Sequence, residues 1–142
     1  MDVKATAVVS LALLGACFPS GDGDDTSSGE CFVDEECSSG SVCARDDQCW
    51  PAAEVRSVRT TWTVRGQPAT EATCSRFPDL HIIYESRDDD LGFSPVPCAQ
   101  GLFNIDKLPV PFTRVELGVD DTSSWTTTTI GSSGQVVIDL RF

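Results

Sequence analysis

In Val58-Arg59-Thr60-Thr61-Trp62-Thr63-Val64-Arg65, positions 58, 60, 62 and 64 fall on one side of an extended chain, and Arg59, Thr61, Thr63 and Arg65 fall on the other. Successive side chains of a strand point to opposite faces, so this alternation predicts a half-buried strand with its core face at the even positions. Similar alternation or β-rich composition recurs at residues 80–85, 102–106, 112–119, 125–130 and 135–142. Between these runs stand turn-forming clusters: Asp88-Asp89-Asp90-Leu91-Gly92, Asp120-Asp121-Thr122-Ser123-Ser124 and Gly131-Ser132-Ser133-Gly134. Six or seven short strands with polar turns and little helical periodicity predict an all-β fold, an antiparallel two-sheet sandwich over residues 50–142.

Cys74 and Cys98 lie inside this region, and Leu108-Pro109-Val110-Pro111-Phe112 precedes one of its strands. Together with Trp62, this order of features resembles small sandwich domains of the transthyretin-like or carboxypeptidase-regulatory-like kind. An immunoglobulin-like topology is the alternative, although no tryptophan lies between Cys74 and Cys98.

Upstream, Cys31, Cys37, Cys43 and Cys49 recur with five residues between successive members. Residues 31–49 are too few to form a hydrophobic core, so covalent bridges must hold them. The spacing, with Asp34 and Gly40, resembles the small cysteine-rich repeats of secreted proteins related to the Dickkopf N-terminal region. Four cysteines allow three pairings. Cys31–Cys43 with Cys37–Cys49 is favoured because interlocked loops constrain the chain more than adjacent ones.

Residues 18–30 are small, polar and acidic apart from Phe18 and read as a flexible tether, unable to bury enough apolar surface to offset ordering entropy. Before them, Lys4 and a mostly apolar run over residues 5–14 end in Leu14-Gly15-Ala16-Cys17. The run has the length of a signal h-region and is far shorter than the roughly 20 residues of a membrane-spanning helix. Leu14 to Cys17 resembles the signal of bacterial lipoproteins. That resemblance implies removal of residues 1–16, acylation of Cys17 and attachment to the membrane by lipid. The absence of Asp after the cysteine implies the outer membrane. With Cys17 lipidated, six of the seven cysteines remain, an even set suited to three disulfides in an oxidising compartment.

The formal net charge is −12, and residues 22–49 hold nine Asp or Glu against Arg45 alone. Such a surface repels nucleic acid. The chain carries a single histidine, His81, in an expected strand, and neither a nucleophile elbow nor a phosphate-cradling or dinucleotide glycine motif accompanies it. No catalytic residue, metal ligand or cofactor is assigned. Asp88, Asp89, Asp90, Asp120 and Asp121 read as solvated turn residues, with calcium binding at one end of the sandwich as the alternative. Arg45, between Cys43 and Cys49, offers a further alternative, an inhibitory loop presented to an extracellular trypsin-like protease. The leading expectation is a non-catalytic envelope lipoprotein with a binding or structural role toward an envelope or extracellular protein.

Overall fold

The computed structural model describes residues 30–120 and 124–142. Cys17, expected to be lipidated, the segment up to residue 29 expected to form a tether, and Asp121 lie outside the described residues.

The cysteine-rich segment is built around an antiparallel hairpin of β1 (Ser41–Cys43) and β2 (Cys49–Pro51). Cys31–Cys43 and Cys37–Cys49 bridge it in the interlocked arrangement. Side chains substitute for a core here. Asp34 Oδ1 accepts the Cys43 N–H at 3.0 Å, and Asp46 Oδ2 accepts the Trp50 indole N–H at 2.8 Å. β2 runs past residue 49, and a single 3-10 turn, Ala52–Glu54, leads directly into β3 (Val55–Val64).

β3 is the middle of the first sheet. Its inward positions Val58, Thr60, Trp62 and Val64 are buried, as the alternation predicts. The two-residue β4 (Gln67–Pro68) pairs with its end. The second sheet has the order β6 (Asp90–Pro97), β5 (Asp79–Glu85), β8 (Arg114–Gly118), β9 (Thr126–Thr129), antiparallel throughout. β7 (Leu102–Pro109) returns to the first sheet and pairs antiparallel with β3. The last strand, β10 (Gln135–Leu140), pairs parallel with β3, the one exception to the antiparallel expectation. Alternation fixes which face of a strand is buried and says nothing about the direction of its neighbour.

The core lies between the sheets. Leu80, Ile82 and Tyr84 of β5 and Val115 and Leu117 of β8 face Ile105 and Leu108 of β7 and Val136, Ile138 and Leu140 of β10. The Cys74–Cys98 bridge is fully inside, and Trp62 Nε1 donates to the Cys98 carbonyl at 2.8 Å. A buried indole needs such an acceptor, and the bridge holds this one in place.

β6 forms where the sequence pattern predicts the turn Asp88 to Gly92 and no strand. It lies at a sheet edge, and an extra residue opposite Leu80–Ile82 makes a bulge at Ser94 and Pro95. Edge position and bulge are where proline is tolerated in a sheet, because its missing N–H is not required there.

β7 carries a second bulge. Arg56 stands opposite Leu108 and Val58 opposite Ile105, so Asp106 and Lys107 together face the single residue Ser57. Lys107 has φ +50°, the left-handed region seldom occupied without glycine. The bulge redirects both side chains toward the cysteine-rich module.

Candidate functional site

The bulge and the module meet in two ion pairs. Lys107 Nζ lies 2.7 and 2.8 Å from the two carboxylate oxygens of Asp34. Arg45 pairs with Asp106, its Nε donating to Oδ1 at 3.0 Å, and its backbone N–H donates to the Lys107 carbonyl at 3.2 Å. The charges cross over: β7 supplies one acid and one base, and the module supplies their opposites. The Lys107 ammonium, followed by the Cys43 amide, holds the Asp34 carboxyl below its usual range. The Arg45 guanidinium does the same for Asp106. These pairs are partly solvated, so their main effect is to fix the orientation of the module on the sandwich.

A groove of about 450 Å³ runs along this junction, lined by Phe32, Val33, Glu35, Asp47, Phe93 and Lys107 among others. Phe32 is 82% exposed and Val33 50% exposed, two large apolar side chains left outside any core. Their presentation is local in origin. Glu36 folds back over the 3-10 turn Asp34–Glu36, and its carboxylate accepts the Phe32 N–H at 2.7 Å and the Val33 N–H at 3.4 Å. With the turn tied down and Cys31 and Cys37 bridged, the two side chains project outward.

The sequence-derived candidates are distributed differently. His81 on β5 places Nε2 3.1 Å from both Ser94 Oγ and Asp120 Oδ2. A hydrolytic triad uses the two ring nitrogens separately, one toward the nucleophile and one toward the carboxylate. Here both partners share one nitrogen. Asp88, Asp89 and Asp90 follow Glu85 at the other end of the same strand, where Ser86 organises the turn through the Asp89 carbonyl. Among the described residues the alternative of carboxylates gathered at one end of the sandwich is not met: Asp120 follows Gly118, which is registered with His81, while Asp90 is registered with Glu85. Those positions are four strand residues apart, about 13 Å.

The sulfurs of Cys31, Cys37 and Cys49 lie within 4.8 Å of one another, as interlocked bridges require, and each is committed to a disulfide. Arg45 is engaged by Asp106 rather than presented as a free basic tip. The junction itself had no sequence signal: Asp106-Lys107 reads as ordinary strand, and only the pairing register shows that it is a bulge. No helix of the described residues is long and apolar enough to cross a membrane.

Comparison with known proteins adds no family. No protein-family model, curated protein or solved structure matches the chain. The class is therefore defined by the fold and the junction alone: a disulfide-stapled β-sandwich with a small cysteine-rich module fixed to one sheet.

Proposed function

We propose that this protein is an exported lipoprotein, acylated on Cys17 and held at the outer membrane, whose folded part has a binding or structural role in the cell envelope and no catalytic one. The anchor half of this reading rests on the resemblance of Leu14-Gly15-Ala16-Cys17 to a lipoprotein signal. It agrees with the use of all six cysteines among the described residues as disulfides, which persist in exported proteins.

The binding half is carried by one observation: the module is crosslinked, clamped to β7 by two ion pairs, and still leaves Phe32 and Val33 in water. Adjacent exposed apolar side chains rimmed by charged groups are a feature of protein contact sites. The shared nitrogen of His81 and the separation of the acidic turns favour this role over hydrolysis or a single calcium site.

The test is labelled-palmitate incorporation with mass spectrometry of the mature N-terminus, comparing the wild type with Cys17→Ala, followed by protease shaving of intact cells. Label on the wild type and none on Cys17→Ala is expected. An unlabelled wild-type protein would overturn the anchor, and shaving reports whether the folded part faces outward.

A further inference from the structure

We propose that the groove between the cysteine-rich module and β7 is a docking site for a basic protein segment that carries a large apolar anchor residue. The inference deepens the binding role above and rests on it.

Three independent features of the groove select this occupant. The first is its apolar wall: Phe32 and Val33 are exposed on the module side, and Phe93 of the edge strand β6 lines the same space. An aromatic or branched side chain seated there would leave water on both sides of the contact.

The second is charge. Of the charged groups lining the groove, Asp34 and Lys107 neutralise each other, and Arg45 is neutralised by Asp106. The Glu35 and Asp47 carboxylates make no side-chain hydrogen bond or ion pair among the described residues. The surplus at the rim is thus negative. It asks for lysine or arginine beside the anchor residue, since complementary rim charges steer encounter and reject like-charged partners. The same surplus argues against an anionic lipid surface as the occupant, because Glu35 and Asp47 would have to approach the headgroup phosphates.

The third is preorganisation. The Phe32 and Val33 amides are tied to Glu36, Cys31 is bridged to Cys43, and the module is clamped at Asp34 and Arg45. Little conformational freedom is left to lose on binding.

The experiment titrates the full-length chain, by fluorescence anisotropy, with three fluorescein-labelled peptides: lysine–tryptophan, lysine alone, and glutamate–tryptophan. Saturable binding of the lysine–tryptophan peptide is expected, weakening as salt is raised. Phe32→Ser/Val33→Asn, as truncation of a binding hot spot, should weaken it by about tenfold or more. Separately, Glu35→Lys/Asp47→Asn, with Asn suited to the φ of +58° at position 47, should weaken it and flatten its salt dependence. These side chains are surface groups, and far-UV circular dichroism confirms that each variant remains folded.

Equal affinity in the Phe32→Ser/Val33→Asn variant, or equal binding of the glutamate–tryptophan peptide, would overturn the proposal. So would a concentration-dependent dimer, or adhesion to phosphatidylglycerol vesicles, that Phe32→Ser abolishes; the occupant would then be a second copy or a membrane. A photocrosslinker placed in intact envelopes at Phe32, and separately at the exposed Val137 of β10, separates this failure from that of the broader reading. Crosslinks at Val137 with no peptide binding remove the groove and leave the binding role. No crosslink at either position removes both.

Discussion

Thr60 Oγ1 and Tyr84 Oη lie 3.0 Å apart in the apolar interior, a hydrogen bond that joins the central strand of one sheet to that of the other. Both residues are fully buried, and each hydroxyl has the other as its partner. Tyr84→Phe leaves the Thr60 hydroxyl buried without that partner and is expected to cost about 1–3 kcal/mol. Thr60→Val strands the phenol in the same way. The double variant should cost less than the sum of the singles, and a double-mutant cycle of urea unfolding measures the difference.

The same phenol sets an alkaline limit. Burial, partly offset by the Thr60 hydrogen bond, pushes the Tyr84 pKa up from 10.0 to about 12. The folded protein therefore keeps the proton over a range in which the unfolded chain has released it. Tyr84's contribution is complete below pH 10 and is lost as pH rises through about 12. Unfolding free energies measured from pH 9 upward should show this decline in the wild type, with its Tyr84 part absent from Tyr84→Phe.

At the acid end the junction responds. Asp34 and Asp106 are both held below the ordinary carboxyl range, by Lys107 and Arg45 respectively. Depressed carboxyls stabilise above the unfolded value and lose that effect as pH falls through the folded one, so the clamp should loosen below about pH 4. The protection of the Cys43 amide, which donates to Asp34, relative to its intrinsic exchange rate should fall there. Asp34→Asn with Lys107→Met should remove most of the pH dependence, and equal protection in wild type and variant across that range would contradict the clamp.

Two glycines are required by space, and one of them, Gly134, by conformation as well. A Cβ on Gly134, where φ is +66°, would lie 2.3 Å from the Ser57 carbonyl oxygen, and one on Gly118 would lie 2.6 Å from the Trp125 ring. Gly134→Ala is expected to destabilise by about 2 kcal/mol or more, because it combines strain with a backbone clash. Gly118→Ala should displace Trp125, read as a shift in tryptophan fluorescence. Gly92→Ala meets nothing within 4 Å and serves as the neutral control, within about 0.5 kcal/mol of wild type in chemical denaturation.

The Cys74–Cys98 bridge closes a separation of 24 residues, and in the chain-entropy model its removal costs about 3.5 kcal/mol. Cys74→Ser/Cys98→Ser should lose about that much, together with any contribution from the acceptor fixed for Trp62 Nε1. A much smaller loss would mean that the surrounding core holds the Cys98 carbonyl without help.

The fold was legible wherever side-chain period carried the information. Val58, Thr60, Trp62 and Val64 alternate cleanly because each alternate position meets the opposite sheet. β6 was illegible because its residues, Gly92, Pro95 and Pro97 among them, suit a bulged edge rather than a regular strand. The expected strand over residues 112–119 is shorter in the structure. Phe112 is buried from the turn before β8, where its amide bonds to the Pro109 carbonyl. The docking groove was illegible for a different reason. Phe32 sits within the cysteine pattern, but its exposure depends on Glu36 folding back, and the groove's far wall depends on a register shift about 75 residues away along the chain.

β3 and β10 lie side by side although residues 65 to 134 separate them along the chain. The first sheet cannot close around its central strand until the last strand reaches it, so Val58, Trp62 and Val64 wait for Val136, Ile138 and Leu140 before burial is complete. Such long-range parallel pairing makes assembly slow compared with folding through local hairpins. It also delays closure of the sandwich until residue 140 is free to pair. A chain wired in this way cannot complete its first sheet during synthesis until β10 has been made.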